Sequence, residues 1–104
     1  MPDTVRLMKA LRLLNELRKQ APEMTPNEAV ILLSIARRPS ASQMDIRAET
    51  GLSRAVVSRH VDHLSRKGGR GFVMVRVSPM DRRSDWLVLT AAGEAFVEKL
   101  TGFL

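Results

Sequence analysis

The chain has 104 residues, a formal charge of +6 and no cysteine. This length suits one domain, and the lack of cysteine excludes a disulfide framework, a thiol redox sensor and a thiolate metal site. No apolar run is long enough to cross a membrane, and the N-terminus lacks the plan of a signal peptide. We therefore expect a single cytoplasmic domain without membrane contact.

The positive charge is clustered rather than spread along the chain. Residues 51–86 contain eight basic and three acidic side chains, and residues 1–22 contain five and two. A basic chain gains solubility from its charge alone. Clustering of this kind, however, favours a polyanion as the partner.

Residues 4–20 show the pattern of an amphipathic helix. Leu7, Leu11 and Leu14 share one stripe, and Leu17 widens it. A basic amphipathic helix can lie on a membrane, but a stripe this wide and rich in leucine favours packing against protein. The sequence Ala21-Pro22 ends the helix.

The next helix begins at Thr25, which can cap its free N–H groups. Pro26 suits the first turn, and Glu28 has the spacing to reach back to the amide of Thr25. A nearly continuous apolar run then leads to Arg37-Arg38, where Pro39 stops the helix. We expect this helix to be central and buried.

Two short helices follow, separated by a glycine turn. Ser42 and Asp45 have the spacing of a capping box, and the helix they begin ends near Thr50. Gly51 is expected to adopt a positive φ angle, which glycine tolerates best. Ser53 then caps a second helix that continues to about Lys67.

The second of these helices has a clear core face, since Val57, Val61 and Leu64 repeat at helical spacing. After a flexible link at 68–71, residues 72–77 alternate as a strand does, 78–85 form a polar loop, and 86–89 make the return strand. Thr90 caps a last helix that Gly102 ends.

In two pieces the chain resembles the MarR family of winged helix-turn-helix regulators. The first is Gly51-Leu52-Ser53 followed by Val57-Ser58-Arg59, which is similar to the turn and recognition helix of that family. The second is Asp81-Arg82-Arg83 followed by Leu89-Thr90-Ala91-Ala92-Gly93, similar to its wing tip and next helix. The resemblance covers about Thr25 to Phe96. It implies a mainly α fold with a small β-hairpin (α+β), with terminal helices used for dimerisation.

The resemblance also sets the expected organisation of the chain. Residues 1–104 form one domain, with a dimerisation helix at 1–22, a winged-helix core at 25–90 and a C-terminal helix at 91–104. The segment 68–70 looks like a three-residue insertion that changes the angle of the wing. The chain is short for the family, as a truncated member would be, so a small-molecule effector is possible but not expected.

In this context the exposed side of the recognition helix and the wing form the candidate DNA surface. Arg54 and Arg59 suit guanine edges or phosphates, and Arg83, oriented by Asp81, suits a narrow minor groove. The alternatives are a solvated helix face and an exposed salt bridge of little energetic value. The predicted DNA-binding residues are Ser53, Arg54, Ala55, Val56, Ser58, Arg59, Arg76, Arg82 and Arg83.

The two hydroxyls and two apolar residues of this set have narrower roles. Ser53 and Ser58 can bond phosphate, although Ser53 is equally explained as a helix cap. Ala55 and Val56 can touch thymine methyl groups. Arg76, like Arg82, is better suited to phosphate than to a base edge.

No catalytic motif is present, so we expect no enzyme activity and no cofactor. His60 and His63 are three residues apart, but two histidines without converging ligands do not make a metal site. We expect both at the surface or near DNA.

A symmetric homodimer is expected from two apolar sets at the ends of the chain, because exposed apolar patches need a partner. The predicted dimerisation residues are Leu7, Leu11, Leu14, Leu17, Phe96, Leu100 and Phe103.

These features together favour a prokaryotic or phage-encoded regulator that binds a pseudo-palindromic DNA operator, most simply as a repressor. Two alternatives remain open. One is a winged-helix module for protein contact in a replication or phage-encoded complex, and the other is a winged helix that binds RNA. The basic surface argues against pure protein contact but does not distinguish DNA from RNA.

Overall fold

A computed structural model describes residues 1–38, 40–65, 69–77 and 85–104. The elements in these ranges follow the order of a winged helix-turn-helix, as the sequence predicts: five helices with an antiparallel hairpin before the last one. They are α1 (Thr4–Gln20), α2 (Pro26–Ala36), α3 (Gln43–Thr50), α4 (Arg54–Leu64), β1 (Val73–Val77), β2 (Asp85–Leu89) and α5 (Ala91–Thr101). None of these helices has the length and apolar character that a membrane span requires.

Polar side chains begin the helices at the predicted positions. The Thr25 hydroxyl accepts a hydrogen bond from the amide of Glu28 at 3.2 Å, and Thr90 accepts one from Gly93 at 3.1 Å. Ser42 and Asp45 form the reciprocal capping box, with the Ser42 amide donating to the Asp45 carboxylate at 2.9 Å. These bonds satisfy amides that have no partner inside a helix, so local chemistry defines each start.

The turn between α3 and α4 is also as predicted. Gly51 has φ 73° and ψ 6°, in the left-handed region, and its amide donates to the carbonyl of Arg47 at 2.9 Å. A side chain at this φ would meet its own backbone. The glycine therefore ends α3 in a conformation that lets α4 begin only three residues later.

Helix α2 is the central element of the core, and α3, α4, α5 and β2 all pack against it. Ile31 and Leu32 are fully buried, as is Ile46 of α3. Helix α4 contributes the predicted face, which is Val57, Val61 and Leu64. Burying these branched side chains supplies the main favourable term for folding, about 1.5–3 kcal/mol for each fully buried residue.

Three local predictions need correction. Glu28 does not cap α2 with its side chain, because its carboxylate turns to Arg70 and His63 instead. Helix α2 ends at Ala36 rather than at Arg37-Arg38. Helix α4 ends at Leu64, not near Lys67, because Ser65 has φ −78° and ψ 172°, an extended backbone conformation in which the helix cannot continue. Residues 66–68 lie outside the described residues.

The hairpin begins in the core and extends away from it. Its register pairs Val73 with Leu89 at the base and Val77 with Asp85 at the far end. Val73 is buried, whereas Val75 and Val77 are exposed. The amide of Leu87 donates to the carbonyl of Ala41 at 2.7 Å, which ties the hairpin to the segment before α3. The hairpin therefore presents its distal half as a wing.

A surface ion pair joins the ends of α2 and α3. The Arg37 guanidinium lies 2.6 Å from one oxygen of Glu49, and Arg38 lies 3.1 Å from the other. The hydrogen bond from Arg37 is the main cause that lowers the pKa of Glu49 to about 2, with Arg38 adding to it.

We predict that Glu49→Gln lowers the free energy of unfolding near neutral pH. In acid the substitution should have no such effect. A carboxylate whose pKa is depressed by folding stabilises the protein above its unfolded pKa, about 4.3. That contribution disappears as pH falls towards 2. Urea unfolding of both proteins at several pH values should show curves that differ at pH 7 and converge in acid. A constant difference at every pH would contradict this prediction.

Candidate nucleic-acid interface and dimerisation surface

The face of α4 that points away from the core carries the predicted recognition residues. Ala55 and Arg59, four positions apart, lie opposite the buried side of the helix and are exposed, as is Arg54 in the first turn. Val56 and Ser58 flank this face and are half-buried. Ala55 and Arg59 therefore share one accessible face of α4, and Arg54 is accessible beside it at the start of the helix.

The hydroxyl of Ser53 accepts a hydrogen bond from the amide of Val56 at 3.2 Å, so it acts as the helix cap. The residue itself remains exposed at the end of the helix. One of its lone pairs stays available, and the free amides of the first turn point the same way. The capping role and a phosphate contact are compatible here.

The electrostatics of this end of α4 favour an anion. The first turn contains no acidic residue, so the positive end of the helix dipole is not neutralised there. Among the described residues, neither Arg54 nor Arg59 forms an ion pair with a carboxylate. Both guanidinium groups can therefore bind a phosphate or a base edge without breaking an existing bond.

The wing is described only in part. Arg76 lies on β1, pairs in register with Trp86 and is exposed. The predicted tip residues Asp81, Arg82 and Arg83 lie outside the described residues, so their roles stay predictions. Trp86 and Phe72 are half-buried, and Phe72 stacks on Phe96 with ring centroids 4.6 Å apart.

A charged cluster beside the recognition helix was not predicted from the sequence. The Glu28 side chain is 1% exposed, and its Oε1 accepts a hydrogen bond from Arg70 Nε at 2.7 Å. The same oxygen lies 3.1 Å from Nδ1 of His63, in the last turn of α4. The separation of 42 residues between Glu28 and Arg70 leaves no local pattern from which to predict the contact.

His63 is therefore engaged with a carboxylate, and His60 is half-buried on another side of α4. Over residues 1–38, 40–65, 69–77 and 85–104, no three histidine, aspartate or glutamate side chains converge as metal ligands would.

Helix α1 carries an apolar stripe that its own chain leaves open. Leu11 and Leu14 are 61% and 60% exposed, and Leu7 is exposed to a similar degree. Leu17 is half-buried and, with Leu13, packs against the core. No residue of the helix is buried. Because a helix gains most of its stability from packing one apolar face, α1 is incompletely covered in the single chain.

The predicted dimerisation residues of the C-terminal helix are less exposed than the sequence suggests. Phe96 and Leu100 were expected to form an exposed apolar patch, but they are 8% and 1% exposed and belong to the core of their own chain. The reason is that α5 packs on α2, β2 and α1, which covers its apolar side. Phe103 is half-buried, with Arg12 of α1 lying 4.4 Å from its ring centroid.

Comparisons with known proteins agree with this geometry. Residues 23–84 match the model of the MarR family. No curated protein matches the chain significantly.

The fold is similar to several solved structures. A transcriptional regulator from Thermotoga maritima is 24% identical with a TM-score of 0.80, covering 94% of this chain and 66% of that one. Wild-type MarR from E. coli, in its apo form, is 23% identical with a TM-score of 0.73, covering 98% and 76%. BpsR from Bordetella bronchiseptica, whose DNA binding is regulated by 6-hydroxynicotinic acid, is 24% identical with a TM-score of 0.69, covering 97% and 73%.

The chain thus spans about two thirds to three quarters of the length of these proteins. The family match covers more than half of the chain and includes the whole helix-turn-helix. From the family match, the capped helix-turn-helix and its exposed basic face, we conclude that this chain belongs to the MarR family of DNA-binding transcriptional regulators.

Proposed function

We propose that the chain binds a pseudo-palindromic DNA operator as a homodimer and represses transcription by blocking access to the promoter. The observation that carries the proposal is the exposed face of α4, where Arg54 and Arg59 have no carboxylate partner among the described residues and Ala55 lies between them. Helices of this kind read base edges in the major groove with residues near their N-terminus.

The residues of the surface have distinct proposed roles. Arg54 and Arg59 bind guanine edges or phosphates, and Ala55 and Val56 contact thymine methyl groups. Ser53 and Ser58 bond phosphate, the former with the free amides of the helix end. On the wing, Arg76 and Arg82 meet phosphates, while Arg83, oriented by Asp81, enters the minor groove.

The proposed dimer places two copies of α4 on one side of the duplex. The exposed stripe of Leu7, Leu11 and Leu14 supports it, since a second copy would bury the same leucines by two-fold symmetry. Two recognition helices about 34 Å apart read two half-sites one DNA turn apart. Such a dimer needs a pseudo-palindromic operator.

Selection from a random duplex pool at two salt concentrations tests the proposal. We expect an enriched inverted repeat and an affinity that falls steeply as salt rises, because each phosphate contact releases a counterion. Equal affinity for every duplex, or none at low salt, would refute specific DNA binding. Preferential capture of RNA competitor would instead support the RNA-binding alternative.

We predict that Arg54→Ala and Arg83→Ala weaken operator binding in different ways. Loss of Arg54 should relax the preference at one operator position and cost about 1–3 kcal/mol. Loss of Arg83 should act mainly at A·T-rich flanks, because it reads groove shape. Lys99→Ala, which removes an exposed cation from α5, is the control.

Binding to a panel of operator variants, measured by fluorescence anisotropy, distinguishes the two effects. If both arginine variants lose the same affinity on every operator, the assignment of base reading to Arg54 is wrong.

A further inference from the structure

The buried carboxylate of Glu28 connects three elements of the DNA-binding module. Glu28 lies in the first turn of α2, His63 in the last turn of α4, and Arg70 in the link that leads into β1. Both partners lie within hydrogen-bond distance of one oxygen, Oε1, at 2.7 Å for Arg70 Nε and 3.1 Å for His63 Nδ1. One atom of α2 therefore contacts both the recognition helix and the base of the wing.

The link to the wing contains two glycines with positive φ, and the amides of Gly69 and Gly71 donate to the carbonyl of Ser65 at 3.2 and 3.3 Å. Arg70 lies between Gly69, with φ 113°, and Gly71, with φ 68°. Glycine adopts positive φ at little energetic cost, but it also gives the unfolded and partly folded chain many backbone conformations. The Arg70 side chain, only 16% exposed, holds this link to α2. Its ion pair adds a contact with α2 to the backbone hydrogen bonds that hold the link to Ser65.

The backbone at the base of the wing is also held by hydrogen bonds to other elements. The amide of Phe72 donates to the carbonyl of Leu64 at 2.8 Å, and the amide of Thr90 donates to that of Phe72 at 2.9 Å. These bonds join the base of the wing to the end of α4 and to α5. The wing already packs on α2 through β2, and the Glu28–Arg70 pair adds a contact with α2 from the link that precedes β1.

Energetics argue that the cluster determines geometry more than stability. Two charges lose their hydration when they are buried, and this loss cancels much of their attraction. Apolar residues of similar volume are often as stable. The best attested use of a buried polar pair is to specify one arrangement of the elements it joins.

We propose that Glu28 is a positioning residue: through Arg70 and His63 it sets the angle between the wing and the recognition helix, so that both reach the same duplex. The proposal rests on the DNA-binding function proposed above. It adds that a residue remote from the exposed face of α4 controls affinity through the shape of the module.

The variant Glu28→Gln separates this role from simple electrostatics. It removes a negative charge, and a more positive chain binds DNA more tightly if charge alone decides. Positioning demands the opposite, a loss of about fivefold or more in operator affinity. Glu23→Gln makes the same change of charge at an exposed site and should bind as tightly as the wild type or slightly more tightly.

A double-mutant cycle with Arg70→Gln tests whether Arg70 acts through Glu28. If Arg70 acts through Glu28, the double variant binds the operator no more weakly than the weaker-binding single variant. The slope of log affinity against log salt concentration then stays the same. If Arg70 instead contacts phosphate, the slope falls by about one and the two losses add. That second result would overturn the proposal.

A measurement without DNA examines the geometry itself. The chain has no cysteine, so Asp62→Cys on α4 and Val77→Cys on β1, both exposed, accept spin labels at defined sites. We expect Glu28→Gln to shift or broaden the distribution of distances between the two labels. If Glu28→Gln does not fold, Arg70→Gln is measured in its place. An unchanged distribution in a folded variant would refute positioning.

The two proposals fail in distinguishable ways. A wild-type protein that binds no duplex refutes the proposed function, and the label distances then decide the role of Glu28 alone. A wild type that binds its operator, together with Glu28→Gln binding equally well or better, refutes positioning while the function stands. Circular dichroism at the assay temperature verifies that each compared variant is folded.

Discussion

Replacing Leu11 and Leu14 by glutamate is expected to give a folded monomer that binds its operator at least about a hundredfold more weakly, the loss expected when two linked binding modules are separated. Both leucines are about 60% exposed in the single chain and lie outside its core, so the substitutions remove little packing within it. In the proposed dimer each glutamate would face an apolar surface and bury a charge without a partner, which is costly.

Light scattering measures the oligomeric state, and anisotropy with full and half operators measures affinity. The double variant Gln20→Glu with Asn27→Glu adds the same two charges at exposed positions outside the leucine stripe, and it should remain dimeric. A wild type that is monomeric at micromolar concentration, yet binds its operator tightly as a single copy, would refute the dimer.

The second large effect is expected from Gly93→Ala, a change of one methyl group at the start of α5. A Cβ at this position would overlap the carbonyl oxygen of Phe72. The clash is between two backbones and cannot be relieved by rotating a side chain. The amide of Thr90 donates to that same carbonyl, so α5 cannot move away without losing this bond. We expect the free energy of unfolding to fall by about 3–5 kcal/mol.

Thermal and urea unfolding followed by circular dichroism measure this loss, which corresponds to a midpoint at least about 12 °C lower for a domain of this size. Ala92→Gly, at the exposed neighbouring position, makes the reverse change and should cost only about 0.5–1 kcal/mol. Equal midpoints for Gly93→Ala and Ala92→Gly would show that the close approach to Phe72 is not required.

Much of the fold could be predicted because its signals are local. A cap and the amide it satisfies are at most three residues apart, so Thr25, Ser42, Ser53 and Thr90 could be recognised as helix starts from spacing alone. The turn at Gly51 could be predicted for the same reason, because its positive φ depends on the identity of one residue. The recognition helix followed from the same kind of information, as its core face repeats at helical spacing.

What the sequence by itself determined, then, is where the elements begin and which residues share a face. What covers each face was decided only by the tertiary structure. The leucine stripe of α1 and the apolar side of α5 look equivalent in the sequence, yet Leu11 is exposed and Leu100 is buried, because α5 packs on three other elements of the chain. Glu28 has the spacing of a cap and instead binds Arg70, 42 residues away. Periodicity specifies the side of a helix on which a residue lies. Burial and ion pairing depend on which distant segment packs against that side. Local spacing contains no information about the distant segment.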